Sequence, residues 1–162
     1  MFAKEIYTGT KEDNYGTLTR QLEHLVADEP NRVANLANAS ALLNQFLDEI
    51  NWVGFYLLEE EKEELVLGPF QGLPACIRIP LGKGVCGTAA QQGETVVVDN
   101  VHEFPGHIAC DAASNSEIVL PLRDRERRLI GVLDIDSPRF ARFDADDVRG
   151  LTGFVEALGS HL

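Results

Sequence analysis

"NWVGFYLLEEEKEELVLGPF", from Asn51 to Phe70, is the stretch that decides the fold. Its apolar residues crowd into two runs rich in aromatic and branched side chains, "NWVGFYLLE" and "LVLGPF", which read as strands. Between them the charged segment Glu59–Glu64 has nothing to bury and makes the turn. Upstream the period is different. Tyr15, Leu18, Leu22, Leu25 and Val26 recur at helical spacing until Pro30 stops them. Asn31 caps a second helix, whose stripe is Val33, Leu36, Ser40, Leu43, Leu47 and Ile50. The chain thus passes from helices over about residues 14–50 into a strand-rich core over about 51–137.

Downstream, "CIRIP" (Cys76–Pro80) predicts a short third strand that begins at Cys76. "LGKGVCGTAAQQGE" opens on glycines and continues with small helix formers, which predicts a loop feeding a helix to about Gln92. "TVVVDN" is a fourth strand, and a long loop runs from Val101 to Ser116. "EIVLPLRD" and "RLIGVLDIDS" form a hairpin turning at Arg125–Arg127. After Pro138 a last helix, about residues 144–160, takes Asp144 as its cap and carries acids in its first turn. Helices gathered at both ends of six strands make the class α+β. The expected architecture is one domain over residues 1–162, with a mainly antiparallel six-stranded sheet and the N- and C-terminal helices packed on one face.

Composition narrows the function. At 162 residues the chain is long enough to bury a real core. Its 26 acidic and 14 basic residues leave a net charge of −12, which argues against nucleic acid or an anionic membrane as partner. No apolar run approaches the roughly 20 residues that span a bilayer. "MFAKEIYTGTKEDNYG" has no apolar secretory segment. Three cysteines, an odd number, suit a reducing cytoplasm better than a secreted disulfide scaffold. Cys76, Cys86 and Cys110 match no zinc-ligand spacing and include no CxxC, so no metal is expected.

Cys110 is out of place. A free cysteine usually behaves as a small buried hydrophobe. Here it lies in "GHIACDAASNSE", among Asp, Asn, Ser and Ala, in a turn-prone loop just before a strand. Such a thiol is placed to meet a reactant.

The elements and their order resemble a GAF domain, a small-ligand module. The likeness goes further in "NWVGFYLL", "LGPFQGLPACIRIPLGKGVCGTAA", "VHEFPGHIACDAASNSEIVLPL" and "GVLDIDSP". These blocks resemble the free methionine-(R)-sulfoxide reductase family of GAF proteins, over about Tyr15–Leu158, and hold all three cysteines. The resemblance implies reduction of the R epimer of free methionine sulfoxide and no bound cofactor. It also implies electrons from thioredoxin, ultimately from NADPH, and a homodimer built through the terminal helices. The alternative is a non-catalytic GAF sensor for a small ligand. A sensor normally feeds an output domain, for which 162 residues leave no room.

The residues can be weighed against that chemistry. Sulfoxide reduction by thiols needs an attacking thiolate, an acid for the departing oxygen, a grip on the substrate and a thiol to resolve the sulfenic acid. Cys110 is the expected nucleophile. Asp111 beside it should raise its pKa, and His107 is a candidate source of compensating positive charge. Cys76 is the expected resolving thiol, which places its Cα within about 7 Å of that of Cys110. Cys86, on an apolar helix face, is either a buried structural thiol or a substitute resolver or relay. Three thiols allow three pairings, and the sequence does not choose among them.

Asp134 and Asp136 sit two apart on a strand, so both project from one face, together with Ile130 and Val132. With Glu117, at the start of the neighbouring strand, they make three acids around one pocket. They can bind the ammonium of an amino acid and keep one proton for the sulfoxide oxygen. Which acid does which stays open. Trp52 and Tyr56 share a face with Gly54 between them, a gap that would admit a ligand beside two aromatic walls. The backbone amides of Ser116, Glu117 and Ile118 are candidate partners for the substrate carboxylate. "GKG" (Gly82–Gly84) lacks phosphate-loop spacing and reads as a turn, and Arg123–Arg128 reads as a solvated hairpin tip.

Overall fold

The computed structural model describes residues 2–162. Helix α1 (Lys11–Val26) starts three residues before the sequence pattern places it. Its cause is local: Thr10 caps the Asp13 amide while the Asp13 carboxylate reaches back to Thr10, a reciprocal capping box. Helix α2 (Arg32–Phe46) is capped by the Asn31 side chain on the Ala34 amide, as expected. The helix ends earlier than the apolar stripe suggests: Leu47 is extended and buried, and Ile50 lies beyond it. Val33, expected in the stripe, is 64% exposed, because the buried side of α2 runs through Asn35, Leu36, Ala39, Ser40 and Leu43.

The sheet comprises β1 (Trp52–Glu59), β2 (Glu64–Gly72), β3 (Arg78–Pro80), β4 (Val96–Val98), β5 (Ser116–Arg123) and β6 (Leu129–Ser137). Their spatial order is β3-β2-β1-β6-β5-β4, and every neighbouring pair is antiparallel. Cys76 lies in the loop before β3 rather than on it, because β3 is only three residues long. Helix α3 (Gly84–Gln92) follows β3, and α4 (Ala145–Gly159) closes the chain from the capping residue Asp144.

Two apolar clusters flank the sheet. Helices α1, α2 and α4 pack against Val53, Phe55, Ile118, Leu120, Leu122, Leu133 and Ile135, so the terminal helices do share one face. The opposite face carries Trp52, Tyr56, Leu65, Val119 and Val132 and is covered by α3 and the segment 101–115. This alternation follows from the two-residue period of strands. One phase differs from expectation: Ile130 joins the terminal-helix face, and Leu129 the other. The cause is a register shift, in which Leu122 pairs with Gly131 but Arg123 with Leu129. The alternation restarts at Val132, so Asp134 and Asp136 keep their predicted face.

The terminal helices are locked by a buried ion cluster. Asp147 on α4 is fully buried and accepts from the Tyr15 hydroxyl (2.6 Å), Lys11 Nζ (2.8 Å) and Arg142 Nη1 (3.2 Å). Gly150 lets the Tyr15 ring lie directly on α4, where a Cβ would collide with the ring. Among the described residues, no helix is long and apolar enough to cross a membrane.

Candidate active site

Strand pairing assembles the wall of the site. Trp52 lies opposite Asp136 and Gly54 opposite Asp134, while Glu117 pairs with Asp136 from the other side. Inward-facing residues of β5, β6 and β1 therefore form one row of Glu117, Asp136 and Trp52, with Asp134 one step along. All four line a cavity of about 40 Å³, together with Tyr56, Lys83, Gly84, Val85, Cys86, His107, Ile108, Cys110, Asp111 and Ser114.

Above this wall, Cys76 and Cys110 are joined as a disulfide with their Cα atoms 5.6 Å apart. Both are half-buried, and they tie the loop before β3 to the long loop before β5. Two aromatic residues of β1 hold the Cys76 side of this bridge. The Tyr56 hydroxyl donates to the Cys76 carbonyl (2.9 Å), and Trp52 Nε1 donates to the Leu73 carbonyl (3.1 Å). On the Cys110 side, Asn51 Nδ2 donates to Asp111 Oδ2 (2.9 Å) and to Ser114 Oγ (3.1 Å). Asp111 Oδ1 accepts from the Ala113 amide (2.8 Å), so this carboxylate shapes the loop that carries Cys110.

The acids stand largely apart from water. Glu117 and Asp134 are each 6% exposed, and Asp136 is half-buried. Burial, reinforced by the charges of Asp134 and Asp136, pushes the Glu117 carboxyl well above the usual carboxylate range. Burial and then Asp134 and Asp111 push Asp136 up in the same way, against a hydrogen bond from Ser114. Asp134 is raised by burial too, but its neighbours Glu117 and Cys86 favour its charged form. Of the facing pair Glu117 and Asp134, burial and charge favour the proton more strongly on Glu117. Cys86 is buried, its Sγ 3.8 Å from Glu117 Oε1. Burial and the surrounding acids push its thiol well above the ordinary value.

Several expectations change. The space beside Gly54 is filled: a Cβ there would collide with the Phe70 side chain. The Trp52 ring stacks between Phe70 and Tyr56, at centroid distances of 5.2 and 5.8 Å. The ligand space lies beside this stack, not inside it. The side chains of Ser116 and Ile118 do not line the cavity, although Glu117 between them does. Their segment is an inner strand, with Ile118 paired to Ile135 and Val97 and turned into the terminal-helix core. The Ser116 hydroxyl is committed to the Arg139 carbonyl at 2.6 Å. Burial and then His102 lower the pKa of His107, so it supplies no lasting positive charge to Cys110 at neutral pH.

The residues that sequence reasoning missed come from α3. Lys83 is its N-cap but makes no side-chain cap, and no acid occupies the first turn. Gly82 and Gly84 have φ of +79° and +60°, a left-handed turn into α3, whose N-cap Lys83 and first residues Gly84 and Val85 line the cavity. The signal was the lack of Ser, Thr, Asp or Asn before "VCGTAA".

Residues 37–162 match the model of the GAF domain. The chain is 57% identical to Protein YtsP of Bacillus subtilis over 98% of its own length and 96% of that protein. It is 55% identical to the free methionine-R-sulfoxide reductase of Escherichia coli, over 91% of this chain and 88% of the relative. Among solved structures, it is similar to the free methionine-R-sulfoxide reductase of Neisseria meningitidis in complex with its substrate. That likeness has a TM-score of 0.92 and 46% identity, over 99% of this chain and 95% of that one.

Proposed function

This chain belongs to the GAF-domain family, among relatives named free methionine-R-sulfoxide reductases, and from that premise we propose that it reduces free methionine-(R)-sulfoxide to methionine. The observation that carries the reading is the Cys76–Cys110 bridge on top of a cavity walled by Glu117, Asp134 and Asp136. In the reduced protein the Cys110 thiolate attacks the sulfoxide sulfur while Glu117 protonates the oxygen. That oxygen moves to Cys110 as a sulfenic acid, and methionine leaves with its sulfur reduced. The Cys76 thiol then attacks the Cys110 sulfenic acid, forming the disulfide and expelling water. A dithiol protein of the thioredoxin class, fed ultimately by NADPH, returns both thiols.

The substrate is an amino acid zwitterion, and two features of the cavity lining suit it. The Asp134 and Asp136 carboxyls favour its ammonium, and the uncapped N-terminus of α3 favours its carboxylate. The Trp52–Tyr56 stack suits the methyl and thioether end. A cytoplasmic homodimer completes the proposal.

The test is to mix reduced protein with excess methionine sulfoxide and no reductant. Two thiols are lost per equivalent of methionine formed. Cys110→Ser abolishes methionine formation, and Cys76→Ser leaves a single turnover ending in a trapped sulfenic acid. Undiminished methionine formation by Cys110→Ser overturns the assignment of the nucleophile.

A further inference from the structure

The cluster beneath the disulfide has the ligand set of a soft-cation site. Cys86 Sγ, a Glu117 oxygen and an Asp134 oxygen all lie within 4.8 Å of one another. They come from α3, β5 and β6, so no spacing along the chain reveals them. Asp134 Oδ1 is buried and has no hydrogen-bond partner, although the residue is only 6% exposed and lines the cavity. An orphaned buried oxygen is a cost that native structures rarely carry without an ordered water, an ion or another ligand to meet it.

We infer that Cys86, Glu117 and Asp134 form an inhibitory binding site for a thiophilic divalent cation of the zinc or cadmium class. The donor type fits: one thiolate and two carboxylates are zinc ligands, and three protein ligands leave a fourth position open towards the cavity. The geometry fits as well. Zinc–sulfur and zinc–oxygen bonds of about 2.3 and 2.0–2.2 Å bring tetrahedral donors to roughly 3.3–3.6 Å. The observed 3.8 Å between Cys86 Sγ and Glu117 Oε1 is a small contraction away from that. Size fits too: a cavity of about 40 Å³ admits an ion with a water. The sulfur excludes hard cations, so magnesium and calcium are not ligands. Binding releases the protons held by Cys86 and Glu117 and neutralises the crowded acids. Inhibition rests on the reductase reading, since the ion occupies the place given there to the substrate's ammonium; binding itself does not.

The experiment uses the protein with Cys76 and Cys110 in the disulfide, leaving Cys86 as the one free thiol among the described residues. Titration with cadmium chloride yields a thiolate-to-cadmium charge-transfer band that saturates at one equivalent. Zinc chloride abolishes the band by displacement, and magnesium chloride does not. Glu117→Gln and Asp134→Asn each weaken binding by about tenfold or more, and Cys86→Ser eliminates the band. In the unsubstituted protein, zinc slows alkylation of Cys86, which frees the test from any folding defect in a variant. Absence of the band at stoichiometric cadmium overturns the inference, as do unchanged affinities in both carboxyl variants. None of these readouts needs turnover, so a failed reductase assay leaves them standing. In a working reductase, zinc competes with methionine sulfoxide.

Discussion

Glu117 carries the pH dependence expected of the proposed reaction. Its pKa is raised in the folded chain by burial first and by Asp134 and Asp136 next, so the folded state holds a proton that the unfolded state releases. Its contribution to stability is therefore complete below the ordinary glutamate value. It is lost as pH rises from there through the folded value. Glu117→Gln keeps the hydrogen-bonding shape without the charge. It stabilises the fold at alkaline pH by roughly 1–3 kcal/mol, a gain that vanishes near pH 4, as urea titrations at the two pH values would register. The same substitution removes the proposed proton donor and lowers kcat/KM by about 10²–10⁴-fold. Wild-type kcat/KM falls on the alkaline side as Glu117 loses its proton, and that limb is absent from the Gln variant. The two same-face aspartates were legible because a strand's period is two. Which acid holds the proton was not, because it depends on how deeply β5 and β6 bury each carboxyl.

At the scale of elements, α1 and α4 are joined through one buried charge. Asp147 accepts from three side chains of α1 and the β6–α4 connection, and from the Asp144 amide at 3.0 Å. Asp147→Ala leaves Arg142 and Lys11 facing an emptied site and costs about 3–5 kcal/mol, measured as a drop in urea midpoint. Asp144→Ala removes only the cap on the Asp147 amide and an exposed contact with Lys11, and costs about 1 kcal/mol. Equal losses from the two substitutions would contradict this ordering. Asp144 was readable as a cap from its place before an apolar periodic run. Asp147 read as one more acid of the first turn, because its partners Lys11 and Tyr15 lie at the far end of the chain. Gly54 is a similar case: the pattern shows a gap between two aromatics, but only the pairing of Gly54 with Phe70 shows what fills it.

For the whole molecule, the disulfide bounds the cavity. Cys76 and Cys110 stand 34 residues apart and draw two loops together across the acids, leaving a space of about 40 Å³. That volume is of the order of one or two waters, so the disulfide form is expected to hold methionine sulfoxide poorly. On the proposed mechanism, substrate is expected to enter after reduction has released the loops. Calorimetry is expected to find methionine sulfoxide bound by the reduced Cys110→Ser variant and at least about tenfold more weakly by the disulfide form. Equal affinity would show that the bridge does not gate the site. The sequence alone determined the succession of elements, the antiparallel α+β class, the caps at Asn31 and Asp144 and the candidates Cys110, Glu117, Asp134 and Asp136. Those follow from periodicity and from side chains acting on their own backbone, which are local. Only the tertiary structure decided that Cys76 bridges Cys110, that Cys86 sits with Glu117 and Asp134, and that Ser116 and Ile118 turn away from the site. These depend on distances between elements remote in sequence, which packing creates and no spacing along the chain records.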